Sequence, residues 1–157
     1  MKMIFKNLVS EKGTYAAVKV SPTAAGNIID TAKNLGIPNL INPSDIHCTL
    51  LYSRKHTPLS GSIDVDYDAL ISNFELFGDN KEILVIKLLS RDIKERHKFL
   101  MDTYDATYDY DEYIPHITLS YNIDKFDINS IDINAFNNSD FKFIYEYYED
   151  LDLTKNS

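Results

Sequence analysis

Two stretches of this chain repeat one pattern: DIHCTLLYSR, residues 45–54, and EYIPHITLSY, residues 112–121. Each spells H-x-T-L-x-Y, through His47, Thr49, Leu50 and Tyr52 and again through His116, Thr118, Leu119 and Tyr121. Threonine, isoleucine and tyrosine favour a pleated, half-buried surface, so both stretches read as strands. Side chains in a strand alternate faces. That puts His47, Thr49 and Leu51 on one face and Cys48, Leu50 and Tyr52 on the other. In the second copy His116, Thr118 and Ser120 share a face, and Ile117, Leu119 and Tyr121 share the opposite one. Each strand then carries an imidazole and a hydroxyl roughly 6–7 Å apart, above an apolar face that anchors it in a core.

The flanking sequence repeats as well. TYAAVKV (14–20) reads as a strand, TAAGNIIDTAKNL (23–35) as a helix closed by Gly36 and Pro38, and IHCTLLYS (46–53) as the first motif strand. Ile28, Ile29, Ala32 and Leu35 form the apolar stripe of that helix. A loop follows over 54–62, then SIDVDY, then FELFG joined through GDN (78–80) to EILVIKLL. RDIKERHKFLMDT (91–103) reads as an amphipathic helix with Ile93, Phe99 and Leu100 inward. The acidic, tyrosine-rich DATYDYDEY leads into the second motif strand, PHITLSYN (115–122). FKFIYEYYEDLDL gives a last strand, and the residues beyond it are a candidate lid. Strand, helix, strand therefore occurs twice, each time ending in H-x-T, which points to an internal duplication within one α+β domain spanning 1–157.

Bulk properties narrow the function. The 157 residues are enough for one domain with its own core. No apolar run is long enough to span a bilayer, and the opening MKMIFKNLVSEKG lacks a continuous signal-peptide core, so a membrane partner and secretion are not expected and a cytoplasmic location is. The single cysteine, Cys48, excludes an intrachain disulfide and a cysteine-rich zinc site. A formal net charge of −8 argues against an extended DNA or RNA partner, which needs many cations to replace counterions. A small nucleotide needs only a few local donors in a pocket. Nothing in the sequence fixes the oligomeric state.

Two H-x-T strands side by side would bring two imidazoles and two hydroxyls to one cleft, a set suited to a phosphodiester. A neutral histidine can take the proton of an attacking hydroxyl while a protonated one supplies the leaving oxygen, since both forms exist near neutrality. The threonines can donate to non-bridging phosphate oxygens as charge builds at phosphorus. This chemistry needs neither a metal nor a cofactor.

The twin HCT and HIT motifs resemble the signature of the 2H phosphoesterases. Their context (GTYAAV, H-x-T-L-x-YSRK, EYIPHITLSY and YEDLDL) is similar to the anti-CBASS protein 1 family of tailed phages. The resemblance implies a two-lobed fold with antiparallel sheets lining a central cleft and helices outside. It implies metal-independent cleavage of cyclic di- or trinucleotide immune signals in the bacterial cytoplasm. His47, Thr49, His116 and Thr118 fall on the family's catalytic positions. Tyr15 resembles a nucleotide contact, and Tyr108 and Glu112 are further candidates. Glu149, with Glu146 as a second possibility, resembles an acidic residue that contacts a base. The family's C-terminal tryptophan has no counterpart, because the chain contains none; Phe77 or a tyrosine could stack instead. Two other readings remain open: an RNA 2′,3′-cyclic phosphodiesterase of the same family, and a nucleotide sponge that does not cleave.

The remaining features are weaker. YDYDEY lacks the glycine and terminal glutamate of a calcium loop and reads as solvated. His56 and His97 have no partner pattern and read as surface residues. Cys48 faces away from His47, which disfavours a Cys–His nucleophile.

Overall fold

The computed structural model describes residues 12–136 and 141–153; the candidate lid beyond the last strand lies outside them. The strands are β1 (Lys12–Val20), β2 (Cys48–Ser53), β3 (Ser62–Asp68), β4 (Leu70–Phe77), β5 (Ile83–Leu89), β6 (His116–Ser120) and β7 (Lys142–Asp152). Helix α1 spans Pro22–Asn34 and α2 spans Arg91–Tyr104. All seven strands join in one sheet of order β3-β7-β1-β2-β6-β5-β4, with every neighbouring pair antiparallel. The two expected sheets are thus halves of one. Their seam is narrow: β2 and β6 meet through the single register pair Cys48↔Ile117.

Two units of like element order meet at that seam. β1–α1–β2 builds one lobe and β5–α2–β6 the other, so each motif strand follows a helix and pairs with the strand before it. Local chemistry starts and stops both helices. The Ser21 hydroxyl accepts from the amide of Ala24 at 3.1 Å, with Pro22 in the first turn. The Ser90 hydroxyl does the same for Ile93 at 3.1 Å. α2 closes on Asp105 in the left-handed region, φ 52°. Gly13 meets a different demand, since a Cβ there would lie 2.0 Å from the Ser53 carbonyl oxygen, so β1 and β2 can approach only at a glycine.

Both helices cover the sheet face that carries Ala16, Val18, Cys48, Ile86 and Ile117, all buried with Ile28, Ile93 and Leu100 in one cluster. Burying each larger aliphatic chain contributes about 1.5–3 kcal/mol. The inward stripe of α2 differs from expectation. Phe99 is 51% exposed and lies beside the Arg96 guanidinium, while Arg96 and His97 take the inward positions between Ile93 and Leu100.

Candidate active site

The open face of the sheet holds the motif residues, and its geometry departs from simple alternation in the same way on both strands. Ala16 pairs with Leu51 but Ala17 pairs with Thr49, so Leu50 is an extra residue in β2. Leu84 pairs with Ser120 but Val85 pairs with Thr118, so Leu119 is an extra residue in β6. The leucine of each H-x-T-L-x-Y is therefore a β-bulge, which reverses the alternation beyond it. Ser120 is consequently not on the cleft face. It is fully buried, and its hydroxyl donates to the Pro38 carbonyl at 2.6 Å. Tyr52 and Tyr121, expected in the core, instead line the cleft.

The cleft has two parts. A cavity of about 790 Å³ is lined by Thr49, Tyr52, Phe77, Lys81, Tyr108, Tyr110, Glu112 and His116. A smaller one of about 370 Å³ is lined by Tyr15, Lys19, Asp45, His47, Tyr121, Tyr147 and Glu149. Because the motif strands run antiparallel through Cys48↔Ile117, Thr49 comes toward His116 and His47 toward Thr118. Each part thus holds one motif histidine together with the motif tyrosine of the other strand.

Both imidazoles are fixed alike. His47 Nδ1 lies 2.7 Å from the Asp45 carbonyl oxygen, and His116 Nδ1 lies 2.9 Å from that of Ile114. A carbonyl only accepts, so each Nδ1 carries the proton and each Nε2 is left to give or take one. The Phe77 ring meets His116 edge-on at 5.0 Å, and the Tyr15 ring meets His47 at 6.3 Å. Burial pushes the pKa of His116 down, and the nearby His47 adds to this against the Ile114 carbonyl's opposing pull. Burial raises the Tyr15 phenol, so it stays protonated; its oxygen lies 2.9 Å from Thr49 Oγ1. Thr118 is half-buried on β6.

Register separates the two acidic candidates on β7. Glu149 pairs with Tyr15 and shares its open face; Glu146 pairs with Val18 and shares the core face. Glu146 is fully buried. Its carboxylate accepts from Arg96 Nη2 at 2.7 Å, from Tyr67 at 2.8 Å and from the Tyr148 hydroxyl. It is closed within that cluster and does not reach the cleft. Cys48 is buried, and burial pushes its thiol up to about 12.

Three features escaped the sequence reading. The two motif tyrosines had a signal, their identity in both copies, but the bulges hid their face. His97 is not a surface residue: it stacks on Tyr113 with centroids 3.8 Å apart, and its Nδ1 donates to the Leu50 carbonyl at 2.6 Å. The YDYDEY loop is only partly solvated. Tyr108 and Tyr113 pack on His97, and Asp109 pairs with Arg54 at 2.9 Å. Among the described residues, no group of three or more His, Cys, Asp or Glu side chains converges that could hold a metal, and no helix is long and apolar enough to cross a membrane.

Two strand–helix–strand units thus each place an H-x-T strand at one central seam of an α+β fold. Comparison with known proteins narrows this. The family described as anti-CBASS protein Acb1 matches residues 12–157, and the chain belongs to that family. It is 29% identical to the anti-CBASS protein Acb1 of Vibrio phage KVP40 over 153 residues, 96% of this chain and 95% of that one. It is 33% identical to the protein of the same name from Enterobacteria phage T4 over 114 residues, 71% of this chain and 73% of that one. The crystal structure of E. coli LigT complexed with ATP matches with a TM-score of 0.44 at 10% identity, over 89% of this chain and 94% of that one.

Proposed function

We propose that this protein is a metal-independent phosphodiesterase that cleaves cyclic di- or trinucleotides with 3′–5′ linkages, and so disarms the signals of bacterial CBASS defence in the infected cell's cytoplasm. One observation carries the reading: two imidazoles at one seam, each with Nδ1–H spent on a main-chain carbonyl and Nε2 left over. Binding alone does not call for two groups prepared to exchange protons.

His116 is the base in this scheme. Burial favours its neutral form, so Nε2 takes the proton of a ribose 2′-hydroxyl. The 2′-oxygen bonds to phosphorus, the bond from phosphorus to the 5′-oxygen breaks, and protonated His47 gives its proton to that oxygen. The product carries a 2′,3′-cyclic phosphate, which water opens with the two roles exchanged. The Tyr15 and Thr49 hydroxyls lie 2.9 Å apart; in this scheme the phenol donates, which leaves the threonine's own proton for a non-bridging oxygen. Thr118 does the same from the other strand. Phe77 and Tyr108 offer faces for bases in the larger cavity, with Glu112 at its rim, and Glu149 offers an acceptor for an exocyclic amine in the smaller one.

The test is a product assay on a panel of cyclic di- and trinucleotides beside a short RNA 2′,3′-cyclic phosphate, with and without chelator. Cleavage of the cyclic nucleotides that survives chelation and is lost in His47→Ala and His116→Ala supports the proposal. Preferred turnover of the RNA end would move the substrate. Intact nucleotide recovered from a heated complex would make the protein a sponge.

A further inference from the structure

We propose that His97 and Tyr113 form a positioning pair for the first motif, holding the two main-chain carbonyls at its bulge and thereby setting the Thr49 hydroxyl and the His47 imidazole. The inference rests on the reading of the cleft as a phosphodiesterase site. A bulge leaves its extra residue out of the ladder, so its carbonyl must find a partner elsewhere. In β2 that partner is a side chain: His97 Nδ1–H donates to the Leu50 carbonyl at 2.6 Å. The carbonyl just before it, that of Thr49, accepts from the Tyr113 hydroxyl at 2.5 Å. The two donors brace each other, with rings 3.8 Å apart and within 7° of parallel. Tyr108, which lines the larger cavity, rests edge-on against both, at 5.1 Å from His97 and 5.8 Å from Tyr113.

The second copy makes the contrast that gives this arrangement its meaning. There the carbonyl of the bulged Leu119 accepts from the main-chain amide of Ile41 at 3.0 Å. A main-chain donor is present whatever the side chain; the first motif depends on two side chains from α2 and the loop after it. Burial lowers the pKa of His97, which keeps it neutral with one proton, and the Leu50 carbonyl fixes that proton on Nδ1.

Four variants separate positioning from mere stability. His97→Phe keeps a ring on Tyr113 but has no donor; His97→Asn keeps a donor where Nδ1 stood but has no ring. Tyr113→Phe removes one hydroxyl. Ile93→Val trims the fully buried packing of α2 and touches neither carbonyl. On a cyclic dinucleotide, His97→Phe and Tyr113→Phe should lower kcat about tenfold, as displacement of a reacting group does. KM should stay within about twofold, because the loss is felt in the transition state. His97→Asn should recover most of kcat, and Ile93→Val at a similar loss of Tm should keep it. A kcat that falls only in step with Tm across all four, or that His97→Asn fails to recover, overturns the proposal. Should His97→Phe not fold, Tyr113→Phe carries the test. If the wild-type protein cleaves no cyclic nucleotide, the functional reading fails, and the NMR shift of the Thr49 methyl decides the pairing. A shift moved by both Phe variants and restored by Asn upholds it; an unmoved shift overturns it.

Discussion

His47 and His116 are held by the same bond, Nδ1–H to the carbonyl two residues back, yet their neighbourhoods differ. His116 is flanked by Phe77 in a cavity of about 790 Å³; His47 lies by Tyr15 and Glu149 in one of about 370 Å³. The bulge beside His47 leans on side chains, and the bulge beside His116 on the main chain. The two copies thus share the imidazole tautomer and the bulged strand and differ in their surroundings. The largest test of this equivalence is removal of either imidazole. His47→Ala and His116→Ala should each lower kcat by about 10²–10⁴, the usual worth of a general acid or base, and the double variant by little more than the worse single one. A single variant that keeps most of its rate would mean that only one copy does chemistry.

The motif tyrosines sharpen the comparison by a smaller step. Tyr52 lines the larger cavity and Tyr121, 59% exposed, the smaller. If each stacks on one base, truncation to alanine costs about 1–3 kcal/mol of ligand binding. Tyr52→Ala should raise KM more than Tyr121→Ala, since the larger cavity encloses more of a base. Equal losses would mean that the two halves are used alike. Smaller again is the position just after each bulge, where Leu51 meets the core as a hydrocarbon and Ser120 as a hydroxyl bound to Pro38. Ser120→Ala should cost about 1 kcal/mol of stability in denaturant and leave kcat unchanged. A catalytic loss would return Ser120 to the cleft.

Much of this was legible in the chain because the signals are local. Gly36 and Pro38 mark the end of α1, the two H-x-T strands announce each other, and the β-branched and leucine residues of EILVIKLL mark β5. What was not legible depends on register. A bulge adds one residue without any fixed residue type, so alternation put Tyr52 and Tyr121 inward and Ser120 outward. The same holds on β7, where Glu146 and Glu149 are three apart and thus on opposite faces; only pairing with β1 says which is which. His97 was hidden for another reason. A polar residue on the inner stripe of a helix looks like a surface residue until the carbonyl that it satisfies is known, and that carbonyl belongs to a bulge 47 positions away.

The finest prediction concerns the pH at which His116 changes charge. Burial lowers the pKa of His116 below its ordinary value of about 6.5. A base must be neutral to act, so with His116 as base the acidic limb of kcat/KM lies below about pH 6.5 and follows the His116 titration seen by NMR. A limb that does not follow the His116 titration would exchange the two roles. The same shift enters stability. Folded His116 binds its proton less readily than the unfolded chain does. Its contribution is therefore fully present above the unfolded pKa of about 6.5 and is lost as pH falls through the lower folded value. His116→Gln, which keeps a neutral polar side chain, should flatten this part of the stability profile between pH 7 and 5.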